Sequence, residues 1–270
     1  MNMRRAKTTL FTLLLASTIG IGVGNGVTSA QAETRFASEY AISAIGFRVG
    51  NSKFDTTIDA NGTYSIDGSL RSSGVARLFA AINGTLTAKG GRNNAAVYST
   101  AFDVAYTEGK KSKSTRFATA SGQITGATNV PEIKPKGEWV PLKPSDLRDA
   151  VDPIASIMVP ASGRGEVCAR SLKAFDGVMR MDVKLKYLRT VPFSTKGFKG
   201  DAVTCRGRFV PVSGYDAKKR DVTWMRDNGV IDVSFAPVGT TGYYAPVKAR
   251  IKTRAVTLNI HALRFEQLTN

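Results

Sequence analysis

The sequence predicts a mainly β fold, a large antiparallel sheet with one covered face, in a single domain. Three observations lead there. Apolar and charged residues alternate with period two in several runs, turn signals separate those runs, and sustained helical periodicity is rare. Such alternation belongs to strands that bury one face and solvate the other.

At the N-terminus, Arg4, Arg5 and Lys7 form a basic start, followed by an apolar stretch from Leu10 to about Val23 and the small-x-small pattern Ala30-Gln31-Ala32. This reads as a signal peptide, residues 1–32, cleaved after Ala32. The apolar stretch is interrupted by Thr12, Ser17 and Thr18 and is short for a permanent span. The expectation is a protein exported to the periplasm, with no transmembrane anchor after cleavage. Residues 33–270 then form one β-rich domain.

Along that domain, Tyr98, Thr100, Phe102, Val104 and Tyr106 point one way and Ser99, Ala101, Asp103 and Ala105 the other. Met179, Met181, Val183, Leu185 and Tyr187 alternate with Arg180, Asp182, Lys184 and Lys186. Val247, Ala249 and Ile251 alternate with Lys248, Arg250 and Lys252. The turn signals are Ala60-Asn61-Gly62, Asn83-Gly84, Gly109-Lys110-Lys111, Asp176-Gly177 and Asp227-Asn228-Gly229. Asp176-Gly177 should turn a hairpin whose outgoing strand starts at Met179.

Two segments break the β rhythm. In Gly74–Asn83, the spacing of Val75, Leu78, Phe79 and Ile82 predicts a short amphipathic helix. In Pro144–Val159, Ser145 can cap a first turn, and Asp152-Pro153 has the form of an N-cap with proline at N1, starting a helix through Ile154, Ile157 and Met158. These two helices are expected to cover the concave side of the sheet. Before the second lies an extended connector, Val130–Leu142, with Pro131, Pro135 and Pro141 around Trp139.

In an oxidising compartment the two cysteines, Cys168 and Cys205, read as a disulfide, since one intramolecular pairing is open to them. It would tie the Asp176-Gly177 hairpin to the following strand. The net charge is +17, and +14 once Arg4, Arg5 and Lys7 are removed. For an exported protein this favours anionic lipid or an envelope protein as partner, and argues against nucleic acid. Arg180, Lys184 and Lys186 on one strand, with Lys248, Arg250, Lys252 and Arg254 on another, are the residues expected to contact an anionic surface. Charged outer faces also oppose edge-to-edge aggregation, which is an alternative reason for them.

Catalytic signals are few. The sequence has no G-x-S-x-G elbow, no P-loop and no H-E-x-x-H. His261 is the only histidine and lies in the alternating run Val256, Leu258, Ile260, Ala262, on the opposite face. Asp146, Asp149 and Asp152 recur every third residue, as helix caps and dipole partners do. Two cysteines and one histidine make no recognisable metal-ligand set. The expectation is a non-enzymatic protein with no catalytic residue, metal or cofactor.

Several stretches together resemble a known family. Cys168 with Phe175–Arg180 (FDGVMR), Pro192–Cys205 (PFSTKGFKGDAVTC), Arg208–Tyr215 (RFVPVSGY), Leu147–Pro153 and Phe235–Ala249 are similar to an exported bacterial family labelled domain of unknown function 3108. The resemblance runs from about Tyr40 to Phe265. It implies a periplasmic, β-rich protein with no assigned reaction and no catalytic residue to carry over. In outline it also implies a curved sheet of half-barrel or β-spiral form, as in periplasmic lipoprotein carriers and proteins associated with envelope integrity. On such a sheet an apolar groove is expected, lined by Phe102, Val104, Met181, Val183, Leu185, Val233 and Phe235. It would hold a lipid chain or an apolar segment of a partner. A scaffold module with no small ligand is the alternative, and a hydrolase the third.

Overall fold

The computed structural model describes residues 33–74, 81–93 and 96–269. The expected signal peptide and most of the first expected helix, residues 75–80, lie outside the described residues. What is described forms one compact unit, and no helix in it is long and apolar enough to cross a membrane.

The chain begins as an up-and-down meander: β1 (Thr34–Ala44), β2 (Phe47–Ile58), β3 (Tyr64–Ser72), β4 (Ile82–Asn93), β5 (Ala96–Glu108), β6 (Lys111–Ala120) and β7 (Gln123–Val130). Its second half is less regular. It holds β8 (Trp139–Val140), the four-residue helix α1 (Pro153–Ser156), β9 (Val159–Pro160), β10 (Ser171–Phe175), β11 (Arg180–Thr195) and β12 (Phe198–Ser213). Then follow β13 (Tyr215–Asp216), helix α2 (Arg220–Asn228), β14 (Val230–Pro237), β15 (Tyr243–Lys252) and β16 (Thr257–Leu268). The main antiparallel sheet runs β10-β11-β12-β14-β15-β16-β1-β2-β3-β4-β5-β6-β7, with β9 added at β15, while β13 and β8 pair separately.

The sheet is open, because its edge strands β7 and β10 share no ladder. They nevertheless face one seam. Arg148 bridges to Gln123 of β7, and Val151 bridges to Ala174 of β10. The rings of Phe117 on β6 and Phe175 on β10 meet at 5.4 Å. Bulges supply the curvature this requires, since an extra residue bends its strand and sharpens the twist. Register shifts occur between Glu39 and Tyr40, Lys89 and Gly90, Ala118 and Thr119, Tyr187 and Arg189, and Ser234 and Phe235. Glycine is needed opposite the β5 bulge: a Cβ on Gly90 would lie 2.0 Å from the carbonyl oxygen of Tyr98 and 2.4 Å from the hydroxyl of Tyr64.

Several expectations are corrected here. Asn83-Gly84 is strand interior, not a turn, and Ile82 and Asn83 belong to β4 rather than to a helix. Ser145 caps nothing. The first turn is a 3-10 turn, Pro144–Leu147, in which Asp146 accepts the Lys143 N–H at 2.9 Å. The bulge opposite Lys89 and Gly90 breaks the alternation of β5, so Ser99, not Tyr98 or Thr100, is buried with Phe102. Asp227-Asn228-Gly229 ends helix α2 instead of turning a hairpin. That helix was not legible: RDVTWMRDN has no apolar stripe, and none of its residues is buried. The expected hairpin at Asp176-Gly177 is present. The Asp176 carboxylate accepts the N–H groups of Val178 and Met179, at 2.9 and 2.7 Å.

Candidate functional site

Two apolar clusters line the inner face of the sheet. The larger gathers Phe36, Tyr40, Ile58, Tyr64, Phe102, Phe117, Phe175, Tyr243 and Phe265 with Ala155 and Met158 of the α1 segment. The second surrounds the disulfide Cys168–Cys205, with Val167, Leu172, Leu185, Val203, Val233 and Phe235. Ile260 packs against both.

Between them lies a cavity of about 250 Å³. Its walls come from β1 (Phe36, Ser38, Tyr40), β2 (Ser52, Phe54, Thr56), Ile66 of β3, and the strands on the other side of β1, namely β14, β15 and β16 (Val233, Ala245, Ala249, Ile251, Ile260, Phe265). The α1 segment contributes Ile154, Ile157 and Met158. The strands supply these groups because alternate residues share a face. On β1 and β2 that face alternates aromatic rings with small hydroxyl residues, which leaves space where larger side chains would fill it.

Tyr40 is the one ionisable group in the lining, and its hydroxyl donates to the carbonyl of Pro246 at 2.8 Å. Burial pushes its pKa up to about 12, so it is neutral at any physiological pH. A cavity with no charge, whose only hydroxyl-bearing residues are Ser38, Tyr40, Ser52 and Thr56 on β1 and β2, suits an apolar occupant whose polar end stays outside.

The α1 cover is fixed at its N-terminus. Asp152 is fully buried and accepts the N–H groups of Ile154 and Ala155, at 2.9 and 2.7 Å. Ser99 on β5 donates to its other oxygen at 2.6 Å and accepts its backbone N–H at 2.9 Å. The carboxyl is held above its ordinary range by burial, against the opposing effect of these hydrogen bonds. Thus the expected cap exists, and its partner is the serine that the β5 bulge turned inward. Asp146 and Asp149 serve elsewhere, in the 3-10 turn and beside Lys173. Among the described residues no His, Cys, Asp and Glu cluster could hold a metal.

The residues expected to line one groove are divided by the structure. Val233 lines the cavity. Phe102 and Val104 belong to the larger cluster, Leu185, Val183 and Phe235 to the second, and Met181 is half-buried. The remaining wall was missed in the sequence because Ser38, Ser52 and Thr56 interrupt the apolar alternation that marks a strand's inner face. Ile154, Ile157 and Met158 were legible as part of the capped segment, but the helix expected to run through them ends at Ser156, with Ile157 as its C-cap.

Of the basic residues, Lys184, Lys186, Lys248, Arg250 and Lys252 are exposed on the outer face. Strands β11 and β15 are separated by β12 and β14, but Arg206 and Arg208 of β12 stand opposite Lys186 and Lys184 and fill the interval. Asp232 lies among them and binds Arg206 at 2.7 and 2.8 Å. Arg180 is not part of this face. It is 5 % exposed and donates to Asp146 O at 2.9 Å and Asp182 at 2.6 Å, because the 3-10 turn folds over it. Arg254 is bound to Asp221 of α2. His261 is also outward, 5.4 Å from the Phe193 ring, with its pKa lowered by burial and by Lys248.

The architecture is similar to a solved beta-barrel-like protein of domain of unknown function DUF1849 from Brucella abortus. That match has 10% identity and a TM-score of 0.53, and covers 89% of this chain and 100% of that one. A "putative lipoprotein" from Parabacteroides distasonis aligns at 9% identity, over 87% of this chain and 96% of that one, with a TM-score of 0.32. No curated protein matches the chain. Residues 37–258 match the family described as protein of unknown function DUF3108, and the chain belongs to that family.

Proposed function

We propose that this is a non-enzymatic, exported envelope protein that holds one apolar chain of acyl type in the cavity beneath α1. The observation that carries the reading is the cavity itself, lined mainly by aromatic and aliphatic side chains and free of charge. At about 250 Å³ it lies just under the roughly 300–1,000 Å³ of pockets for drug-sized ligands. That is the scale of a single chain rather than of a multi-ring ligand. The leader-like N-terminus and the disulfide support an exported location. The basic outer face supports a role at an anionic envelope surface.

The test is displacement of a fluorescent fatty-acid probe, together with native mass spectrometry and lipid extraction of the purified protein. The expected result is one bound amphiphile per chain and saturable probe binding. Ala249→Phe, which places a ring in the cavity, should weaken probe binding at least about tenfold, the equivalent of roughly 1.4 kcal/mol. Equal binding by wild type and Ala249→Phe, or no bound amphiphile and no probe binding, would leave a scaffold without a small ligand as the better reading.

A further inference from the structure

Two hairpins of the sheet share one turn geometry and differ in one residue. Ser121-Gly122 joins β6 to β7 with φ of +50° and +73°, and Ile45-Gly46 joins β1 to β2 with φ of +52° and +79°. Both are two-residue loops with two left-handed positions, the connection for which Asn, Asp or Gly is preferred at the first place. A β-branched residue there is crowded by its own backbone. Ser121 brings a short polar side chain to the position, whereas Ile45 brings the least suitable kind.

Ile45 is also 79% exposed and Phe47 beside it 62%, the two most exposed large hydrophobic residues among those described. Nothing lies within 4 Å of where a Cβ would stand on Gly46, so the tip projects clear of the sheet. Local folding and solvation both disfavour this sequence, and an outlier of that kind points to a use.

The antiparallel registers place three other features at the same end of the sheet: Arg71 of β3, the β5–β6 turn with Lys110 and Lys111, and the β15–β16 turn with Arg254. Arg48 follows Phe47 directly. These cations are all exposed. Glu108, beside the β5–β6 turn, is bound to Lys113, and Asp221, near the β15–β16 turn, to Arg254.

We propose that the Ile45–Phe47 tip enters the interfacial layer of an anionic bilayer, with Arg48, Arg71, Lys110 and Lys111 meeting the lipid headgroups. A projecting apolar point with a cationic collar has the division of labour of interfacial membrane contacts, apolar groups into the acyl boundary and cations at the phosphates. A protein partner would need about 800 Å² on each side, and a two-residue tip does not offer that. The proposal does not depend on what occupies the cavity.

The test is co-flotation of the purified protein with vesicles of phosphatidylglycerol and phosphatidylethanolamine, or of phosphatidylcholine alone. Wild type should float with the anionic vesicles, less with the neutral ones, and less again at high salt. Ile45→Asn with Phe47→Ser should lower the apparent affinity by about tenfold or more. Because asparagine suits the turn, that variant should fold at least as stably as wild type, which a thermal melt checks. Arg48→Ser with Lys110→Ser and Lys111→Ser should abolish the preference for anionic lipid.

Failure of wild type to float would overturn the proposal. So would binding that is unchanged in the tip variant yet lost in Lys248→Ser with Arg250→Ser and Lys252→Ser, which would assign the contact to the outer face. A wild-type dimer that Ile45→Asn with Phe47→Ser converts to monomer would likewise overturn it, in favour of self-association.

Discussion

The two apolar clusters are built on the same sheet and held in different ways. The second is cross-linked: Cys168 lies in the segment that crosses the inner face before β10, and Cys205 is fully buried on β12. Around it Val167, Val203 and Phe235 have no exposure at all. The larger cluster has more aromatic rings but relies on a four-residue helix for part of its cover. The cavity lies between the two, with Val233 and Ala249 of the pinned cluster on one wall and the capped helical turn on another. The contrast sets a covalently held wall against one held by a cap and a short helical turn.

Breaking the pinned cluster should have the largest effect. Replacing Cys168 and Cys205 together by alanine opens a loop with a sequence separation of 37. On the loop-entropy model this costs about 4 kcal/mol, less whatever native-state strain the bond imposes. Urea denaturation measures it, and hydrogen exchange should show the amides of β12 and β14 losing protection before those of β2 and β3. A loss below about 1 kcal/mol would mean that packing, not the cross-link, separates the two clusters.

The cover of the larger cluster should respond next. Asp152→Ala removes an N-cap and the partner of Ser99, a loss of about 1–2 kcal/mol. The pH dependence has a definite sign. Burial raises the carboxyl pKa in the folded protein, so the unfolded chain releases this proton at lower pH. Stability is therefore lost as pH rises from about 4 through the raised folded value. Asp152→Asn should flatten that slope, read as the dependence of the urea midpoint on pH between about 4 and 7. A slope unchanged in Asp152→Asn would show that the carboxyl does not titrate in that window.

Much of this fold could be read in advance, and the parts that could not share a physical reason. The alternation of Val247, Ala249 and Ile251 with Lys248, Arg250 and Lys252 is present in β15 as expected, because the bulge opposite Ser234 and Phe235 falls at Val247, where the run starts, and the register from Lys248 to Lys252 is unbroken. The Asp152-Pro153 cap and the Asp176-Gly177 turn were legible because each is a local contest between backbone donors and a nearby carboxylate. The burial of Ser99 and Arg180 was not legible, since each depends on a distant event, a β5 bulge in one case and a 3-10 turn folding over β11 in the other. For the cavity, the missing signal was volume. Period two says which residues share a face, but not that serine at 38 and 52 leaves the face underfilled.

That underfilling yields the smallest and most discriminating test. Ser52 is buried and lines the cavity. If the space is a packing flaw, Ser52→Val should stabilise the protein by up to about 1 kcal/mol, since it adds apolar contact to a site with room for it. Probe binding would then be indifferent to the change. If the space is kept for an acyl chain, the same substitution should stabilise the empty protein and weaken the probe together, because the added methyl groups occupy the ligand's volume. Destabilisation would show walls already in contact at that point, since overpacking costs about 1–3 kcal/mol. The two measurements on one variant thus separate a void from a site, and they do so without disturbing the disulfide, the cap or the charged outer face.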